Sequence, residues 1–300
     1  MANLKEVRNR IGSVNSTQQI TKAMKMVSAA KLKRATNAIV ELRPYANKLK
    51  ELLANLSSSL EDGASPFLQQ REPTRVLIVA ITSNRGLAGA FNANVIKTTN
   101  NLIAEKYSEQ HKAGNVSIVA IGKKSQEYYE RRKYNVIGNN NEVYNNLTFG
   151  NVSAITESIM DGFLKGQYDR VEIVYNHFRN AAMQFLITEQ LLPVPKVEKT
   201  EETKTVKGEV TAQVDYILEP SKEEIVEQLI PKNIKIQLYR GVLDSVASEH
   251  GARMTAMDKA TENAGELLKA LKLSYNQARQ AAITTELTEI VSGAAALSSD

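Results

Sequence analysis

The chain of 300 residues contains no cysteine and no tryptophan. Without thiols it can form neither a disulfide framework nor a cysteine-containing metal site. Its three histidines, His111, His177 and His250, lie far apart in the sequence and lack the spacing of metal ligands. No serine, histidine and aspartate grouping or spaced carboxylate pair indicates a catalytic centre. We therefore predict no metal site, no bound cofactor and no catalytic site in this chain.

Long hydrophobic runs are absent as well. No window approaches the ~20 consecutive apolar residues that span a bilayer, and the N-terminal stretch MANLKEVRNRIG is charged from its start. A signal peptide would need an apolar core there. Because 42% of the residues are hydrophobic, the chain can still bury a sizeable core. We expect a soluble protein that is not exported.

Basic charge is concentrated at one end of the chain. Residues 1–60 contain eleven lysines or arginines and three glutamates, a net charge of +8, so the other residues carry −3. Within the basic cluster TKAMKMVSAAKLKR no aromatic side chain is present to stack on bases, which argues against a nucleic-acid site. A solvated helix face is the simplest interpretation of such a cluster. Among partners, an acidic protein surface fits better than nucleic acid.

Apolar residues near the N-terminus repeat at the spacing of a helix. Leu4, Val7, Ile11 and Val14 follow one another at intervals of three and four residues, and similar steps resume later after a phase shift. The later steps fall at Leu42, Ala46, Leu49, Leu53 and Leu56. The pattern predicts a helix of about 55 residues, roughly 80 Å long.

The C-terminal end predicts helices as well. Ser221 and Glu224 form a capping box for a short helix that Pro231 is expected to end. No proline follows, and a seam typical of a coiled coil runs through the rest of the chain. Its members are Ala264, Leu268, Leu271, Tyr275, Ala278 and Ala282. We expect a helix of about 60 residues that pairs antiparallel with the N-terminal helix.

The middle of the chain changes from helical to strand periodicity. Three short, β-branched apolar runs separated by helical segments are typical of buried parallel strands. They are RVLIVAI (75–81), VSIVAIG (116–122) and RVEIVYNHF (170–178). The predicted fold class is α/β, a Rossmann-like domain inserted into a long antiparallel coiled coil of the N- and C-terminal helices. The predicted domains are 1–58 (N-terminal helix), 74–220 (α/β domain) and 221–300 (C-terminal helices).

The first strand is followed by TSNRGLAGAFN, where a nucleotide-binding fold would have its phosphate loop. Gly86 and Gly89 are three residues apart, which matches neither of the common glycine-rich phosphate motifs. The segment therefore predicts a tight turn from strand to helix, in which the glycines provide backbone geometry.

Small residues recur in SEHGARMTAMDKATENAGELLKAL. Alanines stand at every fourth position from Ala252 to Ala264, and AMKMVSAAKLKRA near the N-terminus is rich in alanine too. Because small side chains let two helix axes approach closely, this part of the coiled coil should be thin. A slender helix pair suits insertion into a hole in another assembly.

Four stretches carry a resemblance to a known family: RIGSVNSTQQITKAMKMVSAAKLKRA, TSNRGLAGAFN, SEHGARMTAMDKATENA and NQARQAAITTELTEIVSGAAAL. Over its whole length the sequence resembles the gamma subunit of F-type ATP synthase. It departs from the family at Asn84 and Ala88, where Asp and often Cys are usual, which concerns details of one turn. The cysteine pair of the thiol-regulated chloroplast relatives is absent, so thiol control is not expected.

The resemblance implies a central rotor shaft that hydrolyses nothing itself. Such a shaft couples proton flow through the membrane c ring to conformational cycling of the catalytic beta subunits in ATP synthesis. The implied partners are three alpha and three beta subunits, an epsilon-type subunit and the c ring, with no direct small-molecule substrate. The implied location is peripheral, at the cytoplasmic face of the bacterial plasma membrane. The alternative is a coiled-coil scaffold whose α/β domain binds a ligand independently.

The resemblance also implies which residues meet the alpha and beta ring. A basic collar is expected to contact an acidic segment of beta, and a polar set near the C-terminus is expected to contact the ring further up. The collar is Lys22, Met24, Lys25, Lys31, Lys33 and Arg34, the polar set is Arg279, Gln280, Thr284 and Glu286, and Arg85 is a further contact. Ile290, Val291 and Leu297 are expected to turn as a bearing inside an apolar sleeve.

Overall fold

The structure, a computed structural model, describes residues 4–57, 65–144, 146–181, 183–195 and 221–297. Two long helices, α1 (Leu4–Ser57) and α6 (Lys222–Leu297), flank the α/β segment of the chain. The elements between them are β1 (Val76–Ile81), α2 (Phe91–Lys106), α3 (Ser108–Lys112), β2 (Val116–Ile121), α4 (Lys123–Arg131), β3 (Asn135–Val136), α5 (Phe149–Leu164), β4 (Arg170–Phe178) and β5 (Gln184–Leu192). The predicted domain limits at 58, 220 and 300 lie outside the described residues.

The chain divides into two compact units. One comprises residues 1–30 and 253–300, which include the N-terminal part of α1 and the C-terminal part of α6. The other comprises residues 31–252 and contains the sheet. The predicted fold class, an α/β domain inserted between two long terminal helices, is confirmed.

The sheet of the second unit has five strands in the order β3-β2-β1-β4-β5. The strands β3, β2, β1 and β4 run parallel to one another, with Val76 of β1 paired to Val116 of β2 and to Arg170 of β4. These are the three predicted strands and a short edge strand. All six residues of β1 are buried because helices cover both faces of the sheet.

Alternate side chains of the strands enter two separate cores. On one face, Leu77, Val79 and Ile81 of β1 pack with α5 and with α6, which contributes Ile234 and Leu238. On the other face, the intervening residues of β1 pack with α2 and α4. The apolar steps of α1 at Leu49 and Leu53 belong to the first of these cores, together with Ala46. This part of α1 therefore packs in the α/β unit.

The edge strand β5 was not predicted from the sequence. It pairs antiparallel with β4, and most of its residues are only partly buried. Its run QFLITEQLL contains Thr188, Glu189 and Gln190, which interrupt the apolar pattern. The last two of these polar side chains are accommodated by hydrogen bonds, since Tyr175 donates to Glu189 at 3.0 Å and Gln190 donates to the carbonyl of Pro193 at 2.6 Å.

The prediction that Pro231 ends a short helix is wrong, because α6 continues through it as one helix. The predicted start is present, where the Ser221 hydroxyl accepts from the Glu224 amide at 3.2 Å. An interior proline costs about 3 kcal/mol through its missing amide and its ring. Ile230 and Ile234 next to it are buried in the core, and each contributes about 1.5–3 kcal/mol. Burial on both sides of the proline therefore outweighs its cost.

The predicted turn between β1 and α2 is present. Two residues of the turn have a left-handed backbone, Leu87 with φ of 62° and Gly89 with φ of 58°. Gly86, the other glycine of the predicted turn, does not have this conformation. A further glycine is essential close by: Gly122 has φ of 108°, and a Cβ there would lie 2.0 Å from the carbonyl oxygen of Thr82. Glycine at this position lets the ends of β1 and β2 approach each other.

Polar side chains of α6 attach this helix to β4 and β5. The Nδ1 atom of His177 in β4 lies 2.6 Å from the Oδ2 atom of Asp244. Arg240 donates to both carboxylate oxygens of Glu189 at 3.2 Å. Gln237 donates to the carbonyl of Gln190 at 3.2 Å. The three α6 residues, Gln237, Arg240 and Asp244, are three and four positions apart and thus share one face of the helix.

Asp244 is almost completely buried, with 1% of its surface exposed. Burial raises the pKa of its carboxyl group above the ordinary value, although His177, Arg240 and Arg43 act in the opposite direction. Burial also raises the pKa of Tyr175, which lies near the same group. The folded chain therefore binds a proton at Asp244 more tightly than the unfolded chain does. The stabilisation that comes from this tighter proton binding is complete below about pH 4, and it is lost as the pH rises through the raised pKa of Asp244 in the folded chain.

We predict that Asp244→Asn, which mimics the protonated acid, removes this pH dependence. At pH 7 the variant should equal or exceed the wild type in its free energy of unfolding, and the difference should shrink as the pH falls towards about 4. Urea unfolding of the full chain at several pH values measures both quantities. Asp161→Asn, at an exposed position of α5, is the control and should leave the pH dependence unchanged. A loss above about 1 kcal/mol at pH 7 would mean that attraction to His177 and Arg240 outweighs the cost of burial.

Candidate functional site

The first unit is built from two helix segments that pair along their length. Arg8 of α1 donates to the hydroxyl of Tyr275 of α6 at 2.7 Å, and Lys25 lies 2.6 Å from Asp258. Between these contacts, the hydroxyl oxygens of Thr21 and Thr261 are 2.8 Å apart. Because residue numbers rise along α1 while those of their partners fall along α6, the two helices are antiparallel, as predicted.

The contact between the helices follows a seam of alternating three- and four-residue steps. On α1 the buried or half-buried positions of this seam are Leu4, Val7, Ile11, Val14, Gln18, Thr21, Lys25 and Ser28. On α6 they are Met257, Thr261, Ala264, Leu268, Leu271, Tyr275, Ala278 and Ala282. The six α6 residues predicted for the seam are all among them. This regular spacing is the geometry of a coiled coil.

The predicted basic collar lies entirely on α1 and is divided between the two units. In the first unit, Lys22 is exposed, and Met24 and Lys25 are half-buried. In the second unit, Lys31, Lys33 and Arg34 are exposed. The structure thus leaves four of the five cationic side chains exposed and holds Lys25 against Asp258. The charge of Lys25 is partly compensated within its own chain.

The predicted polar set near the C-terminus is exposed on α6. Each residue advances about 100° around a helix, so Arg279 and Glu286 share one side while Gln280 and Thr284 share another. The hydroxyl of Thr284 donates to the carbonyl of Gln280 at 2.9 Å. The hydroxyls of Thr285 and Thr288 likewise donate to carbonyls four residues earlier, at 3.0 and 2.8 Å.

Exposed apolar side chains lie between these two polar sides and, at Val291, on the side of Gln280 and Thr284. Ile290 and Val291, predicted for the bearing, are each 66% exposed. Leu297 ends α6, and its side chain lies outside the described residues. Ile283 and Leu287 are exposed as well and were not predicted. Ile283, Leu287 and Ile290 follow one another at intervals of four and three residues, on a side of α6 other than the seam. This spacing is visible in the sequence.

Three large exposed apolar residues lie on the part of α1 that belongs to the first unit. Ile20 and Val27 are seven positions apart and therefore on one side of the helix, and they are 60% and 58% exposed. Met26 is exposed on a different side, which it shares with Lys22. The surface of this helix segment thus differs in chemistry from one side to another.

Arg85 lies in the turn between β1 and α2 of the second unit, where its side chain is exposed. Around it, the Ser83 hydroxyl lies 2.6 Å from the Arg85 carbonyl, and Asn84 donates to the carbonyl of Asn141 at 2.8 Å. The backbone of the turn is therefore fixed by side-chain hydrogen bonds. Arg85 projects from this fixed turn.

Within the described part of the chain, no group of three or more histidine, aspartate or glutamate side chains is arranged to hold a metal ion. The helices described here include none with the length and hydropathy needed to cross a membrane. The prominent feature of the first unit is its solvent-exposed helix surface. Surfaces of this kind are suited to contact with other proteins.

Paired terminal helices with an α/β unit inserted between them in the chain define the class of protein, a coiled-coil protein with long exposed helix surfaces. The model of the ATP synthase family matches residues 3–297. ATP synthase gamma chains from Cytophaga hutchinsonii and Flavobacterium johnsoniae are 56% and 55% identical to this chain, and each comparison covers 99% of both chains. The gamma chain of Chlorobium phaeobacteroides is 47% identical over the same share. The chain belongs to the ATP synthase gamma chain family, and the predicted family is confirmed.

Solved structures show the same fold. The rotor of the Euglena gracilis mitochondrial ATP synthase contains a chain with a TM-score of 0.63 and 23% identity, over 93% of this chain and 98% of that one. A second structure of that enzyme, including its c-ring, gives a TM-score of 0.65 at 21% identity, over 98% and 94% of the two chains. At such low identity the likeness concerns the fold.

Proposed function

We propose that this chain is the central rotor shaft of a proton-translocating F-type ATP synthase. In this role it couples ion flow through a membrane c ring to conformational cycling of the catalytic beta subunits during ATP synthesis. The observation that carries the proposal is the antiparallel helix pair of the first unit, whose outer surface differs in chemistry around its circumference. Membership of the gamma chain family gives the proposal its setting.

The uneven surface provides the physical basis for driving the ring. Three identical subunits around one shaft can adopt different states only if the shaft makes different contacts with each, because equal contacts shift no equilibrium. On α1, Ile20 and Val27 present an apolar side, whereas Lys22 presents a cation on another. Turning such a shaft replaces a purely apolar contact by one that includes a charge at any one subunit.

The basic collar supports a contact with an acidic segment of beta. Lys22, Lys31, Lys33 and Arg34 are exposed, and oppositely charged surfaces attract over about 8–10 Å at physiological salt. Arg85 would add a further cation from its fixed turn. Near the other end of α6, Arg279 can form two parallel hydrogen bonds to one carboxylate of the ring. Gln280, Thr284 and Glu286 complete this second contact.

The apolar end of α6 supports a bearing. Ile290 and Val291 lie exposed with Ile283 and Leu287, and exposed apolar side chains of this size usually mark a contact surface. An apolar sleeve around them would resist sideways motion by excluding water. It would permit rotation because apolar contacts are not directional.

The remaining partners follow from the same assignment. The α/β unit would contact an epsilon-type subunit and the c ring, which makes this chain a peripheral protein on the cytoplasmic face of the bacterial plasma membrane. The chain would act on no small molecule of its own.

Purification of the assembled complex through a tag on this chain tests the assignment. We expect alpha and beta to copurify at three copies each per tagged chain, in an ATPase that pumps protons when reconstituted. Quantitative mass spectrometry of the complex measures the ratio. A ligand-binding scaffold would give another set of partners or a variable ratio, and such a result would contradict the rotor.

Met24→Lys tests the contact between collar and beta. Met24 is half-buried on α1, one residue from Lys25, so a lysine there adds a cation at this contact and should loosen the coupling between hydrolysis and pumping. We expect fewer protons pumped per ATP hydrolysed in reconstituted vesicles, with hydrolysis retained. Met24→Leu keeps an apolar side chain of similar volume and should pump as the wild type does. Equal pumping by the lysine variant would count against this contact.

Truncation after Thr288 tests the bearing. It removes Ile290, Val291 and Leu297 but leaves the seam residues and the polar set in place. We expect the complex to assemble with a lower yield and to rotate under less load, because the apolar support is lost. Single-molecule rotation of the isolated head under increasing viscous drag measures the torque. Assembly and torque equal to the wild type would show that the bearing contributes little.

A further inference from the structure

The seam of the helix pair changes its chemistry partway along α1. Its first four positions are Leu4, Val7, Ile11 and Val14, and its next four are Gln18, Thr21, Lys25 and Ser28. The spacing is unbroken, so the polar residues occupy the positions that face α6. Thr21 and Ser28 are in fact buried, at 8% and 3% exposure. A continuous apolar seam would bury more apolar surface, so the polar section must be explained by something other than adhesion.

The centre of the polar section is a pair of hydroxyl groups. The Oγ1 atoms of Thr21 and Thr261 are 2.8 Å apart. Each is also within reach of a carbonyl of its own helix, Gln18 for Thr21 at 3.0 Å and Met257 for Thr261 at 2.7 Å. Since a hydroxyl has one proton, one threonine donates across the seam and the other donates to its own backbone. Only when the two side chains face each other does the hydroxyl that donates to its own backbone also accept a bond from the other helix.

Gln18 makes a second polar contact with the same residue of α6. Its Nε2 atom lies 3.5 Å from the carbonyl oxygen of Thr261, which is a weak bond by its length. A Cβ at Gly265 would lie 2.9 Å from that Nε2 atom, so glycine leaves the space that Gln18 occupies. Three residues of the seam, Gln18, Thr21 and Thr261, thus fit one another in one alignment of the helices. The flanking pair of Lys25 and Asp258 is largely exposed and adds little to this selection.

The apolar part of the seam selects an alignment poorly. A shift by one heptad, about 10 Å along the axis, would again place apolar or small residues of α6 opposite Val7 and Ile11. In a shifted alignment Thr261 would face Val14 or Ser28 and not Thr21. A buried polar position in a coiled coil is the established way to fix register at a cost in stability.

We propose that Gln18, Thr21 and Thr261 are positioning residues that fix the axial register of α6 against α1 within the first unit. The consequence of this register for the ring contacts rests on the proposed rotor function. Lys22 and Met24 lie beside the polar section on α1, while Arg279 lies on α6 about 32 Å from Asp258, the partner of Lys25. The register sets the axial distance between these two groups of ring contacts. A shaft that slipped would meet the ring correctly at one level and wrongly at the other.

Disulfide trapping measures the register directly, because the chain has no cysteine of its own. Ile11→Cys with Leu271→Cys reports the observed register. The numbers of these two residues add up, to within one, to the same value as those of residues that contact each other across the seam, such as Lys25 and Asp258. Ile11→Cys with Ala278→Cys reports a shift of one heptad. Each pair is introduced into the full chain and oxidised, with and without the substitutions Gln18→Leu, Thr21→Val and Thr261→Val. Thr17→Val and Gln19→Leu make the same kinds of chemical change at exposed positions of α1 and serve as the matched control.

With the native seam and with the control we expect only the first pair to crosslink. With the apolar seam we expect the shifted crosslink to form as well, while the melting temperature is unchanged or higher because both hydroxyl partners are replaced together. Without introduced cysteines, the apolar variant assembled with its partners should pump fewer protons per ATP, and the control should pump normally.

Failure of this inference is distinguishable from failure of the rotor assignment. If the apolar seam does not increase the shifted crosslink, the three residues do not fix the register, whatever the pumping ratio. If the shifted crosslink increases and pumping is unchanged, these residues fix the register as proposed, but the claim that the register positions the ring contacts is overturned. Neither result affects the copurification of alpha and beta, which tests the rotor itself.

Discussion

Each terminal helix segment depends on the other for its stability. A single helix in water gains little from its own hydrogen bonds, and its stability comes mainly from burying an apolar face. Residues 4–30 of α1 offer a narrow face for this purpose, with Val7 as its most buried apolar member, and α6 offers Ala264 and Leu268. Because neither face is wide, the two segments bury each other and leave their remaining surfaces exposed. Those exposed surfaces are then available for contacts with other subunits.

The α/β unit solves a different physical problem. Its central strands β1, β2 and β4 are apolar on both faces and require helices on each side. The part of α1 with Leu49 and Leu53 and the part of α6 with Ile234 and Leu238 provide cover for one face, and α2 and α4 provide it for the other. Both long helices thus change their role along their length, from mutual pairing to covering a sheet. The phase shift between the two sets of apolar steps in α1 reflects this change.

Much of this fold could be predicted from the sequence because its elements are regular. The continuous apolar runs identify β1, β2 and β4, and the three- and four-residue steps identify both helices and their antiparallel pairing. Sequence reasoning missed β5, because its partial burial tolerates Glu189 and Gln190. It misjudged Pro231, because only the fold shows that Ile230 and Ile234 are buried. The charged residues of the candidate site were recognised through family resemblance. Ile283 and Leu287 were missed although their spacing is visible, and the contact of Thr21 with Thr261 requires knowledge of how the helices align.

The threonines near the end of α6 have a consequence for sliding contact. The hydroxyl protons of Thr284, Thr285 and Thr288 are all directed to carbonyls of their own helix, a bonding pattern open to threonine in helices. These side chains therefore have no donor left for a neighbouring molecule and present mainly methyl groups. A surface of this kind makes few directional bonds that must break when one molecule moves past another. Friction at these three side chains, unlike at Arg279, would then be low even where the contact is close.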